Sequence, residues 1–439
     1  MSKDKAGLAT RKAAVKLLAN VLQDKRPLDE AIGRYGTSGP LQDLLPKDRA
    51  FARAIVSTAL RRKGQLDEII SRFLEKPLPK KCGNLKEILL CGAAQMIFMD
   101  TPPHAAIDLA VRHCKGERRS FRFSSLANAV LRRISEYGKS MAENQDYVRV
   151  NTPEWLWNRW EKTYGTEQTE LIAHSHMQEA ALDLTVKSNP EGWAEKLGGY
   201  PLPNGSVRIL HKGRIEQIEG YYDGEWWVQD IAAALCAPLL GHVQGLQVAD
   251  LCAAPGGKTA QLANAGAHVT AVDISAKRLD RLAENMIRLG LRAEIVESDV
   301  TIWQPREQFD AVLVDAPCSA TGTIRRHPDL PHLKSEADIL ELASLQERVL
   351  ENSLNIVKRG GVIVYCTCSL EPEEGIDQIA RFLERHPNVR LEPVRPAEVS
   401  DYNEWIYEGC IRSLPSGLPA EDPQYAGMDG FFAARMRVS

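Results

Sequence analysis

The sequence predicts a multidomain chain of three unlike parts. These are an all-α bundle over residues 1–140, a small α+β module over 141–240 and a doubly wound α/β domain over 241–439. Apolar residues recur at helical spacing through residues 8–138. From residue 246, short apolar runs alternate with helix-length stretches, the pattern of a parallel sheet covered by helices. Length agrees, because 439 residues exceed one average domain.

In the first part Val15, Leu18 and Leu22 share a helical face, as do Phe51, Ile55 and Thr58, then Leu66, Ile69, Ile70 and Phe73. Asn84 with Glu87 three residues on predicts a capping box before ILLCGAAQMIFM, and Thr101-Pro102-Pro103 ends that helix. A helix over 125–137 turns Leu126, Val130, Leu131 and Ile134 inward and leaves Arg132 and Arg133 outside. The order PPHAAIDLAV, a basic loop over 115–122 and SLANAVLRRI resembles the NusB-like RNA-binding fold.

The middle part opens with Trp155, Trp157 and Trp160 on one helix, followed by the alternating strand ALDLTVKSN and turn-rich residues around 198–205. Tryptophans can stack bases, but on one helix we read them as core. In the third part the strands are VADLCA, VTAVDI, AEIVESD, FDAVLVDAPC and GVIVYCTCS, with helices near 258–265, 276–289 and 339–357. The chain closes on a late antiparallel strand at DGFFAA. Asp250, Asp273, Asp299 and Asp315 fall at successive strand ends, where ligands of such sheets bind.

The net charge of -3 hides an asymmetry: residues 1–140 carry 27 Lys+Arg against 14 Asp+Glu, and the remainder 28 against 44. A basic part joined to an acidic one points to a polyanion partner, contacted through Arg118, Arg119, Arg122, Arg132 and Arg133. No apolar run reaches the length of a membrane span, and the opening residues lack the apolar core of a secretion signal. Nine cysteines at irregular spacing argue for free thiols and a cytoplasmic protein.

QVADLCAAPGGKT, residues 247–259, reads as a strand running into a tight turn and a helix. A Walker loop needs a glycine where Cys252 stands, and a dinucleotide loop needs G-x-G-x-x-G, so neither phosphate cradle is complete. Asp273 sits where nucleotide folds place a ribose-binding acid, and S-adenosylmethionine, which has no phosphate, suits the loop better.

Cys318 and Cys368 each end a predicted strand of one sheet, so both thiols can face one cleft. Two thiols beside a methyl donor suit carbon 5 of a pyrimidine. A thiolate added at carbon 6 makes the ring an enamine, and a second group then removes the carbon 5 proton. Zinc would want four ligands, and Cys366-x-Cys368 has no second pair. Cys366 stays open as a bystander.

DLCAAPGGKT, FDAVLVDAPCSATG with RRHPD after it, and YCTCS followed by PEE are similar to the motifs of the RNA cytosine-5 methyltransferases of the Sun family. With the NusB-like part, the resemblance covers nearly the whole chain. It implies a Rossmann-like class I methyltransferase domain with S-adenosylmethionine held by Cys252, Ala253, Ala254, Pro255, Gly256, Gly257, Lys258, Asp273, Asp299 and Asp315. It further implies Cys368 as nucleophile, Cys318 as the residue assisting product release, and Asp315 near the target base. The implied partner is small-subunit (16S) ribosomal RNA. We expect a monomer with no metal and no membrane association. Two alternatives are the same chemistry on transfer RNA and a non-catalytic RNA-binding assembly factor. The mark of the second would be a lost cysteine or a broken loop, and both are intact.

Overall fold

Residues 3–33, 39–211 and 213–439 are described by the structure, a computed structural model. They fall into two units: the chain up to Glu161 together with His327–Lys334, and Lys162–Arg326 together with Ser335–Ser439.

The first unit is helical: α1 (Lys3–Leu22), α2 (Leu28–Ile32), α3 (Pro46–Arg61), α4 (Lys63–Arg72), α5 (Leu85–Phe98), α6 (Pro103–Lys115), α7 (Ser124–Glu143), α8 (Tyr147–Asn151) and most of α9 (Glu154–Tyr164). Helix α5 is apolar on almost every side and buried through most of its length, so it forms the centre of the bundle. Pro103 opens α6, where its missing N–H costs nothing. The expected capping box at Asn84 is absent, because the Asn84 amide instead donates to Glu117 Oε1 at 2.8 Å and ties α5 to the loop after α6. Trp157 and Trp160 are core residues and Trp155 is half-buried.

The second unit begins with α10 (Thr166–His176). A small antiparallel sheet follows, built from β1 (Leu182–Val186), β2 (Tyr200–Pro201), β3 (Ser206–Ile209) and β4 (Trp226–Val228) in the order β2-β3-β1-β4, with α11 (Pro190–Leu197) beside it. Arg208 and Asp183 form a fully buried two-pronged pair across β1 and β3, at 2.6 and 2.7 Å. The remaining Arg208 nitrogen donates to the carbonyls of Tyr425 and Gly427, which fastens this sheet to the chain's last turns.

After α12 (Ile231–Ala234) come β5 (Gln247–Leu251), α13 (Gly257–Asn264), β6 (His268–Asp273), α14 (Ala276–Leu289), β7 (Glu294–Glu297) and β8 (Phe309–Asp315). The chain continues through α15 (Leu330–Leu333), α16 (Glu336–Ile356), β9 (Val357–Thr367), α17 (Ile376–Arg385), β10 (Val389–Leu391), β11 (Ile406–Tyr407), β12 (Cys410–Ser413) and β13 (Phe431–Val438). Strands β9-β8-β5-β6-β7 are parallel, and β13 adds antiparallel to β9. This is the doubly wound, Rossmann-like sheet expected, extended by an antiparallel edge of β10–β13. From β5 the chain winds outward to β7, then returns to place β8 on the other side. The switch point lies between β5 and β8, and ligands bind at the carboxyl ends of the strands there.

Segment His327–Lys334 belongs to the helical unit. Asp329 Oδ2 accepts from the Leu28 N–H at 2.8 Å, which caps the start of α2, and His332 Nε2 lies 3.1 Å from the Leu60 carbonyl oxygen. Lys25 donates to the His332 carbonyl, and Leu333 packs on the bundle core. Burial lowers the His332 pKa to about 4, so the ring is neutral there. Among the described residues no helix is long and apolar enough to cross a membrane, and no group of three or more His, Cys, Asp or Glu is placed to hold a metal ion.

Candidate active site

The loop after β5 turns through two left-handed residues, Cys252 (φ 60°) and Gly256 (φ 99°), before α13 begins. Gly256 is the constrained glycine of the pair: a Cβ there would sit 2.8 Å from Leu282, whereas one on Gly257 meets only Gln229 at ordinary distance. The Gly256 requirement is therefore conformational and internal. Asp273, at the end of β6, holds the loop from beneath. Its carboxylate accepts from the Ala254 N–H at 3.2 Å and the Ser275 N–H at 3.0 Å, and Arg278 lies 3.3 Å away. Asp299 follows β7 and is held below the usual carboxylate range by the Thr301 hydroxyl and N–H. Burial, then the charges of Asp315 and Asp273, push the Cys252 thiol up and keep it neutral.

Lys258 is buried, with its ammonium 2.8 Å from Asp315 Oδ2 and 5.0 Å from the Phe431 ring centre. Burial works against its charge, but Asp315 outweighs it and holds the pKa well above the ordinary value. Beside this pair, Asp250 is fully buried. Thr259 donates to its Oδ2 at 2.6 Å, while Oδ1 has no hydrogen-bond partner among the described residues. Burial raises the Asp250 pKa to about 7, against the Thr259 hydrogen bond and with help from the Asp315 charge. An orphaned carboxylate oxygen among acidic neighbours suits a ligand carrying positive charge. S-adenosylmethionine, with its sulfonium and ammonium, fits this donor set, and a phosphate does not.

Strands β8 and β9 are adjacent and parallel, with Asp315 opposite Cys366. Cys318 and Cys368 lie just past the ends of these strands, and their sulfurs are 3.4 Å apart. Contact with Cys368, then burial, holds the Cys318 pKa well above that of a free thiol. Cys318 therefore keeps its proton, and either sulfur can be the donor in this contact. Cys366 is separate from this pair: it is fully buried in the core on β9, with its sulfur 3.6 Å from Asp315 Oδ1.

The loop carrying Cys318 is fastened at two further points. Gly322 and Gly430 pack backbone to backbone, and a Cβ on Gly322 would lie 2.0 Å from the Gly430 oxygen. Arg325 bridges Asp230 at 2.7 Å and Asp429 at 2.8 Å, with Arg326 joining the same two carboxylates in a buried cluster. Arg325 and Arg326 are the two arginines of the RRHPD stretch, but Asp230 and Asp429 had no legible signal. Glu374, Ser319 and Ser369, which lie directly under the two cysteines, were also missed. Glu374 belongs to the PEE that follows YCTCS, and a glutamate just past a strand reads as a surface residue.

Comparisons with known proteins agree with this geometry. Residues 237–437 match the family model of the 16S rRNA methyltransferases RsmB/F, and residues 8–136 match the NusB family. The ribosomal RNA small subunit methyltransferase B of Salmonella typhi is 34% identical over 416 residues, covering 90% of this chain and 92% of its own. Its counterpart from Serratia proteamaculans is 37% identical over 363 residues, covering 79% and 84%. Among solved structures, PH0851 shares the fold over 98% of both chains, with TM-score 0.77 and 23% identity. A methyltransferase homologue from Pyrococcus horikoshii matches 64% of this chain and 94% of its own, with TM-score 0.53 and 26% identity. Identity at this level over nine-tenths of the length, on a site shaped for a cationic methyl donor, makes the chain a member of the RsmB/F family of S-adenosylmethionine-dependent ribosomal RNA methyltransferases.

Proposed function

We propose that this protein methylates carbon 5 of a cytosine in small-subunit ribosomal RNA through a covalent adduct with Cys368. The observation that carries the proposal is the 3.4 Å contact between two thiols at the carboxyl edge of the sheet, one of which keeps its proton. S-adenosylmethionine, when bound, supplies an electrophilic methyl group. The Cys368 thiolate adds to carbon 6, and the ring's electron pair becomes available at carbon 5, which would form the new carbon–carbon bond to the methyl group as the methyl–sulfur bond of the donor breaks and its electron pair leaves on sulfur. Once Cys368 is a thioether, the contact no longer favours a protonated Cys318. Cys318 releases its proton to solvent, removes the carbon 5 proton, and the carbon 6–sulfur bond breaks to return Cys368 as thiolate. Asp315, one-third exposed beside Lys258, is assigned to the amino edge of the cytosine. Residues 252–258, Asp273 and Asp299 are assigned to the cofactor.

The helical part is assigned to RNA. Arg118, Arg119, Arg122, Arg132 and Arg133 are all exposed on it, and the named relatives act on small-subunit ribosomal RNA. We read the protein as a cytoplasmic monomer with three functional parts near 1–140, 141–240 and 241–439. The test is a denaturing gel after incubation with unmodified small-subunit ribosomal RNA and S-adenosylmethionine. Cys318→Ala should accumulate a denaturant-resistant protein–RNA adduct, and Cys368→Ala should form none. The reverse pattern would exchange the two roles, and no adduct in either would remove the covalent mechanism. Bisulfite sequencing of ribosomal and transfer RNA from a deletion strain identifies the target.

A further inference from the structure

Glu374 is a fully buried carboxylate with an unusual set of donors. Its Oε1 accepts from the Ser319 N–H at 2.9 Å and from Gln346 Nε2 at 3.0 Å. Its Oε2 accepts from the hydroxyl of Ser319 and from the hydroxyl of Ser369 at 2.5 Å. Ser319 directly follows Cys318, and Ser369 directly follows Cys368. The two serine hydroxyls are also 3.1 Å apart. One carboxylate therefore grips the residue next to each thiol, on two loops that leave different strands.

The residue is itself held in place. Its main-chain carbonyl accepts from the Thr367 hydroxyl at 3.1 Å, and the single Tyr365 hydroxyl proton lies between that carbonyl at 3.0 Å and Gln346 Oε1 at 2.9 Å. Gln346 donates to the Pro317 carbonyl on the other side. A buried carboxylate persists only where its lone pairs are filled, and hydrogen bonds to a charged acceptor are stronger and shorter than neutral ones. Burial pushes the Glu374 carboxyl up, and the two serines and Gln346 oppose that shift.

We propose that Glu374 is a positioning residue that clamps the Cys318 and Cys368 loops together and so sets the contact between the two thiols. The role assigned to that contact rests on the methyl-transfer reading above, but the clamp can be tested without methyl transfer. Phenylarsine oxide joins two thiols held close, losing its oxygen as water while both thiol protons leave with it. Binding is measured on the full chain, with the Cys318→Ala/Cys368→Ala double variant subtracting reaction at the other cysteines. Glu374→Gln should weaken chelation at least tenfold and lower kcat at least tenfold, with KM for RNA changed less than threefold. Glu374→Asp, which keeps the charge, should recover part of both. Should Glu374→Gln not fold by thermal melting, Ser369→Ala removes one arm of the clamp and should weaken chelation severalfold. Wild-type chelation in a folded Glu374→Gln or in Ser369→Ala overturns the proposal. Tight chelation by a wild type whose Cys318→Ala variant accumulates no RNA adduct would instead count against the covalent reading and leave the clamp standing.

Discussion

Replacing Asp250 by Asn tests the electrostatics of the cofactor loop. The folded pKa of Asp250 is about 7 against an ordinary 3.8. The native chain therefore holds a proton that the unfolded chain has lost. Stability falls as pH rises from about 4 to about 7, at roughly 1.4 kcal/mol per unit, and changes no further above both values. Asn is neutral at every pH and nearly the same shape. Its amide can still meet the Thr259 hydroxyl, and the atom replacing Oδ1 is as unpartnered as Oδ1 itself. The free-energy difference between Asp250→Asn and wild type should therefore grow by roughly 2 to 3 kcal/mol between pH 5 and pH 8, in favour of the variant. Two units make a single unfolding free energy ill-defined, so the measurement is native-state hydrogen exchange of the Val248–Leu251 amides at both pH values. A difference that does not change with pH would refute a raised Asp250 pKa.

Gly256→Ala should lower stability by about 2 kcal/mol or more, from left-handed strain and the Leu282 contact. Gly257→Ala should leave stability unchanged or raise it by up to about 1 kcal/mol, because it opens a helix with room for a methyl group; thermal melts rank the two, and equal losses would contradict the assignment. Each of Arg118→Ala, Arg119→Ala and Arg122→Ala should reduce the slope of log RNA affinity against log salt by roughly 0.7 to 0.9. Filter binding across a salt series measures it, and an unchanged slope would place the RNA surface elsewhere.

The doubly wound sheet was legible because strands buried on both faces leave continuous apolar runs, as in AVLVD and VIVYC, and the intervening α14 has the bounds its pattern predicts. Strands β10, β11 and β12 were missed because each has only two to four residues and belongs to the antiparallel edge, where no long run forms. Cys318 and Cys368 could be placed at one sheet edge from their positions after two strands. That Cys366 is fully buried beside Asp315 while Cys368 meets Cys318 was not legible, since both pack on one apolar cluster and only Cys368 lies past the end of β9 at Thr367. Asn84 carried a sound local signal that lost to a tertiary partner, Glu117. The buried carboxylates Asp183, Asp230, Glu374 and Asp429 were unreadable for a common reason: each is buried by partners that include residues at least 25 positions away in sequence.

Segment His327–Lys334 bears on how the protein is made. Translation delivers α1 to α8 first, but the residue that caps α2, the ring beside the Leu60 carbonyl and the Leu333 side chain emerge roughly 165 residues after Glu161. At about 5 to 20 residues per second this is a wait on the order of 10 s or more. During that interval the nascent bundle exposes an apolar seat and an unsatisfied helix start, which a chaperone or the ribosome surface is free to cover. A chain cut after residue 140 never receives the missing piece, and one begun at residue 141 carries that piece with nothing to receive it. Separating the helical bundle from the methyltransferase part therefore calls for a graft of residues 327–334 onto the bundle, joined by a linker, in place of a single cut.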